Sequence, residues 1–304
     1  MLPILSLTFR YRAPEGFDAG PFPEAAWRGA FGYALKRAVC VMRLRPCAGC
    51  PLEFSCAYPF IFETRSGGEP PLPHEGDRAP HPYVLRAAPR DDPRSRDPVD
   101  LGVTLIGDAA RHLPYVIHAL DAAGRGGVGG ARSTLILEAV LDAAGDPVWS
   151  PGRNLAPHEP VAPALELAEV ERLAVTFLTP LRLVRDGEPV SAETLDGPTL
   201  AFAAARRIGL LQACFAGGAA GADFRSLKTQ AQSVRILDRD LAWADRRRFS
   251  TRQRRSIVLG GVTGRLVLDV ADAPAVAPYL EFCQFVHLGK STTLGYGQIH
   301  VART

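Results

Sequence analysis

The sequence carries the same order of predicted elements twice, and this repeat constrains the fold more than any other feature. Residues 5–11 alternate between apolar and polar side chains, as a half-buried strand does. Pro23 opens a predicted helix whose apolar stripe comprises Trp27, Phe31, Ala34, Leu35, Ala38 and Met42. The next predicted elements are strands at 83–87 and 99–106, a helix from Asp108 to about Ala123 and a strand at 135–141.

The second half of the sequence predicts the same order. Its elements are a strand at 173–177, a helix at 195–215, strands at 234–237 and 259–270, a helix at 274–287 and a strand at 299–301. Each half therefore has the βαββαβ order of a ferredoxin-like, RRM-like unit. Because residues 145–163 hold five prolines and little pattern, we place a linker at 146–165, between domains at 1–145 and 166–304. The prediction is an α+β fold with two ferredoxin-like domains and a Cys-rich insertion in the first.

A glycine-rich loop joins the last predicted helix to the last strand. It contains Gly289, Gly295 and Gly297, together with Lys290, Ser291 and Thr292. Glycine lets a backbone approach a ligand closely, and successive exposed N–H groups form concave sites for anions. We predict that this loop binds phosphate. The alternative is a connector that merely requires glycine.

Six arginines lie within ten residues, between two predicted strands of the second half. They are Arg246, Arg247, Arg248, Arg252, Arg254 and Arg255. Because like charges repel one another, this cluster favours a polyanionic partner such as RNA, held by an exposed hairpin arm. Trp243 and Phe249 are suited to stacking on bases. A solvated charged turn is the alternative, since the net charge of the chain is only +3.

Four of the six cysteines fall within one short stretch, namely Cys40, Cys47, Cys50 and Cys56. The N-terminal residues lack the basic region of a signal peptide, and no apolar run reaches the roughly 18 residues of a membrane span. We therefore expect a cytoplasmic protein with no membrane partner, in which these thiols hold a metal rather than form disulfides. A structural zinc ion is the favoured ligand. An iron–sulfur cluster and a set of reduced thiols are the alternatives.

The sequence has no motif for metal-dependent hydrolysis, such as H-E-x-x-H. RNA can also be cleaved without metal, by attack of its own 2′-hydroxyl. That reaction needs a base, a cation for the developing phosphorane charge and an acid for the leaving oxygen. His287 and Lys290, at the end of the last helix, are candidates for the base and the cation. A buried structural role for His287 is the alternative.

The sequence resembles the CRISPR-associated endoribonucleases of the RAMP superfamily that cut precursor CRISPR RNA within each repeat. The matching segments are 27–32, Cys40 with 47–52, 56–64, 178–182, 206–208, 249–253 and 287–297, in order along nearly the whole chain. The resemblance implies two ferredoxin-like domains. It also implies metal-independent cleavage beside a repeat stem-loop, which leaves a 2′,3′-cyclic phosphate. The implied partners are the CRISPR repeat RNA and other CRISPR effector subunits.

The chain departs from this family at one position. Many relatives carry a catalytic histidine on or just after the first helix, whereas residues 1–73 contain no histidine. The polar face of that helix offers Tyr33 and Lys36 instead, and His287, His74 and His81 are further candidates for the base. The predicted RNA contacts are Arg28, Arg37, Arg125, Arg132, the arginines of the arm and the glycine-rich loop. A non-catalytic subunit that holds the guide RNA is the alternative function.

Overall fold

The computed structural model describes residues 2–42, 46–64, 79–164, 170–217, 224–250 and 255–304; at 224, 247–250, 255 and 256 we describe the backbone alone. The chain forms two compact units. The first comprises Met1–Ala162 with Ala213–Gly218, and the second comprises Pro163–Gln212 with Ala219–Thr304. No helix among the described residues is both long and apolar enough to cross a membrane.

The first unit is an antiparallel sheet with two helices. Its strands are β1 (Ile4–Arg12), β2 (Tyr83–Arg86), β3 (Val99–Ile106), β4 (Ile136–Leu141) and β5 (Pro147–Trp149), in the order β2-β3-β1-β4-β5. Helix α1 (Pro23–Val39) follows β1, and α2 (Leu113–Gly126) follows β3. A 3-10 helix at Gly107–His112 precedes α2, and a π-helix at Pro59–Glu63 lies between α1 and β2.

The core of the first unit forms where the apolar stripe of α1 packs with the sheet and α2. Trp27 contacts Tyr11 of β1, with 4.8 Å between ring centroids, and Phe31 contacts Tyr83 of β2 at 5.7 Å. All four side chains are fully buried, and burial of a large apolar side chain contributes about 2–3 kcal/mol. The predicted stripe ends early, because Ala38 is exposed where the last turn of α1 leaves the core.

The second unit repeats this architecture. Its main sheet contains β6 (Arg172–Leu181), β9 (Arg235–Ser250), β10 (Arg255–Asp269) and β11 (Ile299–Arg303), in the order β11-β6-β10-β9. The strands β7 (Val184–Arg185) and β8 (Glu188–Pro189) form a small separate hairpin. The helices are α3 (Gly197–Phe215), α4 (Phe224–Ala231) and α5 (Ala277–Val286).

Both sheets have the strand order of a ferredoxin-like unit, which confirms the predicted tandem α+β fold. Two features differ from the prediction. Strand β5 lies inside the residues expected as a linker, because it pairs with β4. Strand β9 runs to 16 residues rather than four, because pairing with β10 continues through its charged residues. Helix α4 is an additional element, beyond those that the sequence predicts.

Candidate functional site

The glycine-rich loop (residues 287–298) turns sharply between α5 and β11. Gly289, Ser291, Gly295 and Gly297 all have positive φ angles. A Cβ atom on Gly297 would overlap the carbonyl group of Leu288, so this position requires glycine. The loop therefore depends on glycine where the sequence places it.

Backbone hydrogen bonds fix the loop but leave part of it open. Leu288 N donates to Gly297 O at 2.8 Å, and Lys290 N donates to Arg182 O at 2.8 Å. The N–H groups of Gly289, Ser291 and Thr292 donate to no acceptor in the described part of the chain. Ser291 has left-handed geometry (φ 64°, ψ 25°) before a 3-10 turn, and such alternation directs successive N–H groups toward one point. Loops of this geometry are typical sites for anions.

The two charged candidates of the loop differ in accessibility. Lys290 is exposed, so its ammonium can reach a ligand. His287 is fully buried (0% exposed), with Val286 and Leu288 equally buried on either side of it. Its ring therefore cannot contact RNA in this conformation, which does not favour His287 as the base. The apolar neighbours of His287 were the sequence signal for its burial.

The arginine-rich run lies on a hairpin arm (residues 243–261) that extends beyond the sheet. Strands β9 and β10 are paired along their length. Arg235 lies opposite Asp269 at one end of the pairing, and Ser250 lies opposite Arg255 at the other. Strand β6, in contrast, pairs with β10 only over Val262–Asp269. The predicted hairpin is thus confirmed as two paired strands. Of its six arginines, Arg246, Arg247, Arg248 and Arg255 lie on these strands, while Arg252 and Arg254 lie outside the described residues.

The base of the hairpin arm contacts the glycine-rich loop. Tyr296 Oη donates to Leu259 O at 3.0 Å, and the Arg246 guanidinium lies 5.7 Å from the centroid of the Tyr296 ring. Arg182 Nη1 donates to Gly260 O at 3.2 Å. Lys290 N also donates to the carbonyl oxygen of Arg182, so Arg182 contacts both the hairpin arm and the glycine-rich loop. Sequence reasoning did not select Arg182 or Tyr296, since both act through main-chain acceptors distant in sequence.

The polar face of α1 forms a second candidate surface, in the first unit. Tyr33 is 67% exposed. The Arg37 guanidinium lies 5.6 Å from the centroid of the Tyr33 ring, and its Nη1 is 3.5 Å from Tyr33 Oη. Lys36 Nζ lies 5.1 Å from the centroid of the Tyr58 ring. The structure thus brings Tyr33, Lys36 and Arg37 to one face, as the helical spacing predicted.

The π-helix supports this face. Phe62 stacks on Tyr58, with centroids 5.5 Å apart, and the Arg28 guanidinium lies 5.4 Å from the centroid of Phe62. An added Cβ on Gly32 would lie 2.7 Å from the Phe62 ring, so α1 needs glycine here for the close approach. The ring stack orders the cations of α1 beside aromatic surfaces.

Arg125, in the last turn of α2, and Arg132, in the segment that follows α2, are the other predicted RNA contacts, and both are exposed. Arg125 Nε forms an ion pair with Asp121 Oδ1 at 3.0 Å. Arg132 Nη2 donates to Gly126 O at 3.1 Å. An exposed ion pair of this kind is worth less than about 1 kcal/mol.

The four clustered cysteines line one small cavity of about 20 Å³, together with Met42 and Leu52. Burial raises the pKa of the Cys47 thiol. Among the described residues, no group of three or more His, Cys, Asp or Glu side chains is placed to hold a metal ion. The predicted zinc site at Cys40, Cys47, Cys50 and Cys56 is thus unsupported by the described part of the chain.

His74 and His81 are the remaining candidates for the base. His74 is outside the described residues. His81 Nδ1 is 3.2 Å from Thr64 Oγ1. Burial, with the positive charge of Arg111 as a second cause, lowers the pKa of His112 to about 4, so this ring is neutral at neutral pH.

Two family models match the chain. Residues 2–161 match AF_1859_N, an N-terminal domain, and residues 175–299 match the CRISPR-associated endoribonuclease Cas6. The second match spans β6, the hairpin arm and the glycine-rich loop. A comparison with curated protein sequences found no match.

Several solved structures share the fold. A product complex of the Cas6 protein TTHB231, from Thermus thermophilus, is similar at a TM-score of 0.60 and 16% identity, with 99% of each chain covered. A Cas6 (TTHA0078) product complex gives a TM-score of 0.54 and 17% identity over 99% of this chain and 100% of that chain. A partial Cas6-RT-Cas1–Cas2 complex gives 0.56 and 15%, covering 100% of this chain and 46% of that chain.

The expected relationship to the Cas6 endoribonucleases is therefore confirmed by the match of residues 175–299. The N-terminal match covers more than half of the chain, and the Cas6 match covers the segment that forms the loop and the arm. The strand order of both units agrees with the fold of the solved Cas6 proteins. The chain belongs to the family of the AF_1859_N N-terminal domain, whose model covers more than half of it, and its residues 175–299 form a CRISPR-associated endoribonuclease Cas6 domain.

Proposed function

We propose that this protein cleaves CRISPR repeat RNA without a metal ion, and that the glycine-rich loop and the hairpin arm hold the RNA backbone. The observation that carries the proposal is the set of three N–H groups, on Gly289, Ser291 and Thr292, without an acceptor in the described chain. Exposed Lys290 adjoins them. Backbone N–H groups with a nearby cation form a suitable site for a phosphate oxygen.

The proposed reaction is a transesterification within the RNA. The 2′-oxygen of the scissile nucleotide attacks the adjacent phosphorus, and its proton passes to a base. The new O2′–P bond forms as the P–O5′ bond breaks, which gives a 2′,3′-cyclic phosphate. The leaving 5′ oxygen takes a proton from an acid, and a cation stabilises the charge on the phosphorane.

The polar face of α1 offers the groups for this chemistry. Lys36 is a cation for the phosphorane, and exposed Tyr33 carries a hydroxyl that can transfer a proton. Arg37 Nη1 lies 3.5 Å from the Tyr33 hydroxyl oxygen. We propose Tyr33 and Lys36 as catalytic residues and Arg28 and Arg37 as RNA contacts. Burial argues against His287 as the base, so we propose a structural role for it.

A single-turnover cleavage assay tests the reaction. The substrate is a labelled copy of the repeat encoded beside the gene, assayed in EDTA, with a 2′-deoxy substitution at the scissile nucleotide as the control substrate. We expect cleavage in EDTA, no cleavage of the deoxy substrate, and roughly 10²-fold or greater losses for Tyr33→Phe and Lys36→Ala. Tyr115→Phe, at a tyrosine 50% exposed on α2, is the matched control. Wild-type rates for both α1 variants would remove these residues from the mechanism.

The second candidate function is a non-catalytic subunit that holds guide RNA. The absence of a histidine from residues 1–73 favours it, because α1 then lacks an ordinary base. The same assay decides between the two functions, since specific binding without cleavage identifies a binding subunit. The Cas6-RT-Cas1–Cas2 complexes among the structural matches lead us to propose other CRISPR proteins as further partners, beside the repeat RNA.

A further inference from the structure

Arg207 is a buried cation in the interior of the second unit, beside the glycine-rich loop. Only 9% of the residue is exposed. Its Nη2 donates to Val286 O, at the end of α5, at 3.1 Å and to Thr292 Oγ1, in the loop, at 3.2 Å. One guanidinium nitrogen thus links α3, α5 and the loop.

The charge of Arg207 has no carboxylate partner among the described residues. Glu281, a nearly buried carboxylate of α5, pairs instead with Arg303, at 2.6 Å between Oε1 and Nε. The buried Nε of Arg207 also has no acceptor in the described chain. Burial lowers the pKa of Arg207 to about 10, so the group stays charged at neutral pH. The C-terminus of α5 offers roughly half a negative charge. About half of the positive charge of Arg207 is therefore left unbalanced.

A buried charge without a counter-ion is unfavourable in the free protein. The cost falls when an anion binds nearby. The N–H groups of Gly289, Ser291 and Thr292, which have no acceptor in the described chain, are the proposed anion site, and Thr292 is also the residue that Arg207 contacts. We infer that Arg207 is a positioning residue, whose charge supports the binding of an RNA phosphate at the glycine-rich loop. This inference rests on the proposed function and adds a residue from α3 to the site.

Binding of the uncleavable repeat, with deoxyribose at the scissile nucleotide, measured across salt concentrations, tests the inference. The slope of log K against log salt becomes shallower by about 0.7–0.9 for each phosphate that the protein ceases to neutralise. We expect Arg207→Met to weaken binding roughly tenfold and to reduce the slope by about this amount. Arg207→Lys retains the charge and should retain the slope. Thr292→Val removes the acceptor alone, and it should weaken binding with the slope unchanged.

Arg206→Met is the matched control, because Arg206 is the exposed neighbour on the same helix. It should leave the affinity and the slope unchanged. Thermal midpoints in inorganic phosphate, against chloride at equal ionic strength, give a second readout that needs no RNA. We expect phosphate to raise the midpoint of the wild type more than that of Arg207→Met.

The outcomes separate the two proposals. If the wild type binds repeat RNA and Arg207→Met keeps its slope and its phosphate effect, the role of Arg207 is wrong. If the wild type fails to bind the repeat while phosphate stabilises it through Arg207, the proposed function is wrong and the anion site stands. If Arg207→Met is unfolded by circular dichroism, Arg207→Lys decides, because loss of both the slope and the phosphate effect in a folded, charged variant overturns the inference.

Discussion

His112 and His287 show how strongly a local environment decides what one side chain can do. His287 interrupts an apolar sequence, and both of its neighbours are fully buried, so burial follows from the sequence. His112 lies at the end of a 3-10 helix beside Phe60 and Tyr115, with ring centroids 5.0 Å and 6.3 Å away. The Phe60 contact joins residues distant in sequence, so the low pKa of His112 was not predictable from sequence.

The depressed pKa of His112 makes stability depend on pH. The pKa of His112 is about 4 in the folded protein, below the ordinary pKa of 6.5. Between these two pH values, His112 is therefore protonated only in the unfolded chain. The contribution of neutral His112 to the free energy of unfolding is therefore complete above about pH 6.5 and is lost as pH falls toward 4. We expect it to be about 1–2 kcal/mol, allowing for solvent screening of the partly exposed ring. Chemical denaturation at pH 7 and pH 5 measures it.

His112→Gln should lose less stability than the wild type between these two pH values. His118→Gln, at an exposed histidine of α2, should behave like the wild type and serves as the control. Equal losses for wild type and His112→Gln would show that other groups cause the pH dependence.

The elements of the two units were more predictable than their lengths and contacts. Helix α1 was found because Trp27, Phe31 and Leu35 recur at helical spacing, and all three are buried. Strand β9 was underestimated because its outer residues are charged and are held by pairing with β10, not by burial. The packing of the loop against the arm was not predicted, because Tyr296 and Arg182 bind backbone carbonyls that carry no sequence signal.

The packing of the loop against the arm predicts that Tyr296 contributes to RNA binding without touching RNA. Tyr296→Phe removes the hydrogen bond to Leu259 O but keeps the ring beside Arg246. A hydrogen bond of this kind contributes about 1 kcal/mol, so we expect a roughly three- to fivefold weaker affinity for the repeat. Filter binding measures the affinity, and amide exchange in residues 243–261 reports the mobility of the arm.

Tyr279→Phe is the control for this measurement, since Tyr279 lies on α5 of the same unit. Unchanged affinity for Tyr296→Phe, combined with a large loss for arginine variants of the arm, would show that the arm binds RNA without support from the loop.

The whole chain has two units with the same strand order and candidate residues on each. The repeat was predictable because alternating strands and amphipathic helices recur at matching places. The zinc ion predicted at the cysteine cluster is unsupported by the described residues, since spacing alone does not fix where thiols point, and Met42 and Leu52 share their cavity. Because His287 is buried, the residues proposed for catalysis lie on α1. The loop and the arm of the second unit are proposed to bind the RNA backbone.

Binding that depends on many phosphate contacts predicts a steep response to salt. We expect a slope of about −3 or steeper for log K of the repeat against log salt, at about 0.7–0.9 for each phosphate neutralised. Replacement of Arg246, Arg247 and Arg248 by glutamine should reduce the slope by about 2. Arg185→Gln removes an exposed ion pair with Asp196 and should change the slope little. A shallow wild-type slope would contradict phosphate binding as the main source of affinity.

The position of β9 at the edge of its sheet has a consequence for solubility. An exposed edge strand offers unpaired backbone groups to any other strand, and charged side chains discourage such pairing. Asp238, Arg239, Asp240 and Asp245 join the arginines on this strand. We therefore expect the charges of β9 also to keep copies of the protein apart. Neutralised variants should show self-association by light scattering at concentrations where the wild type remains monodisperse.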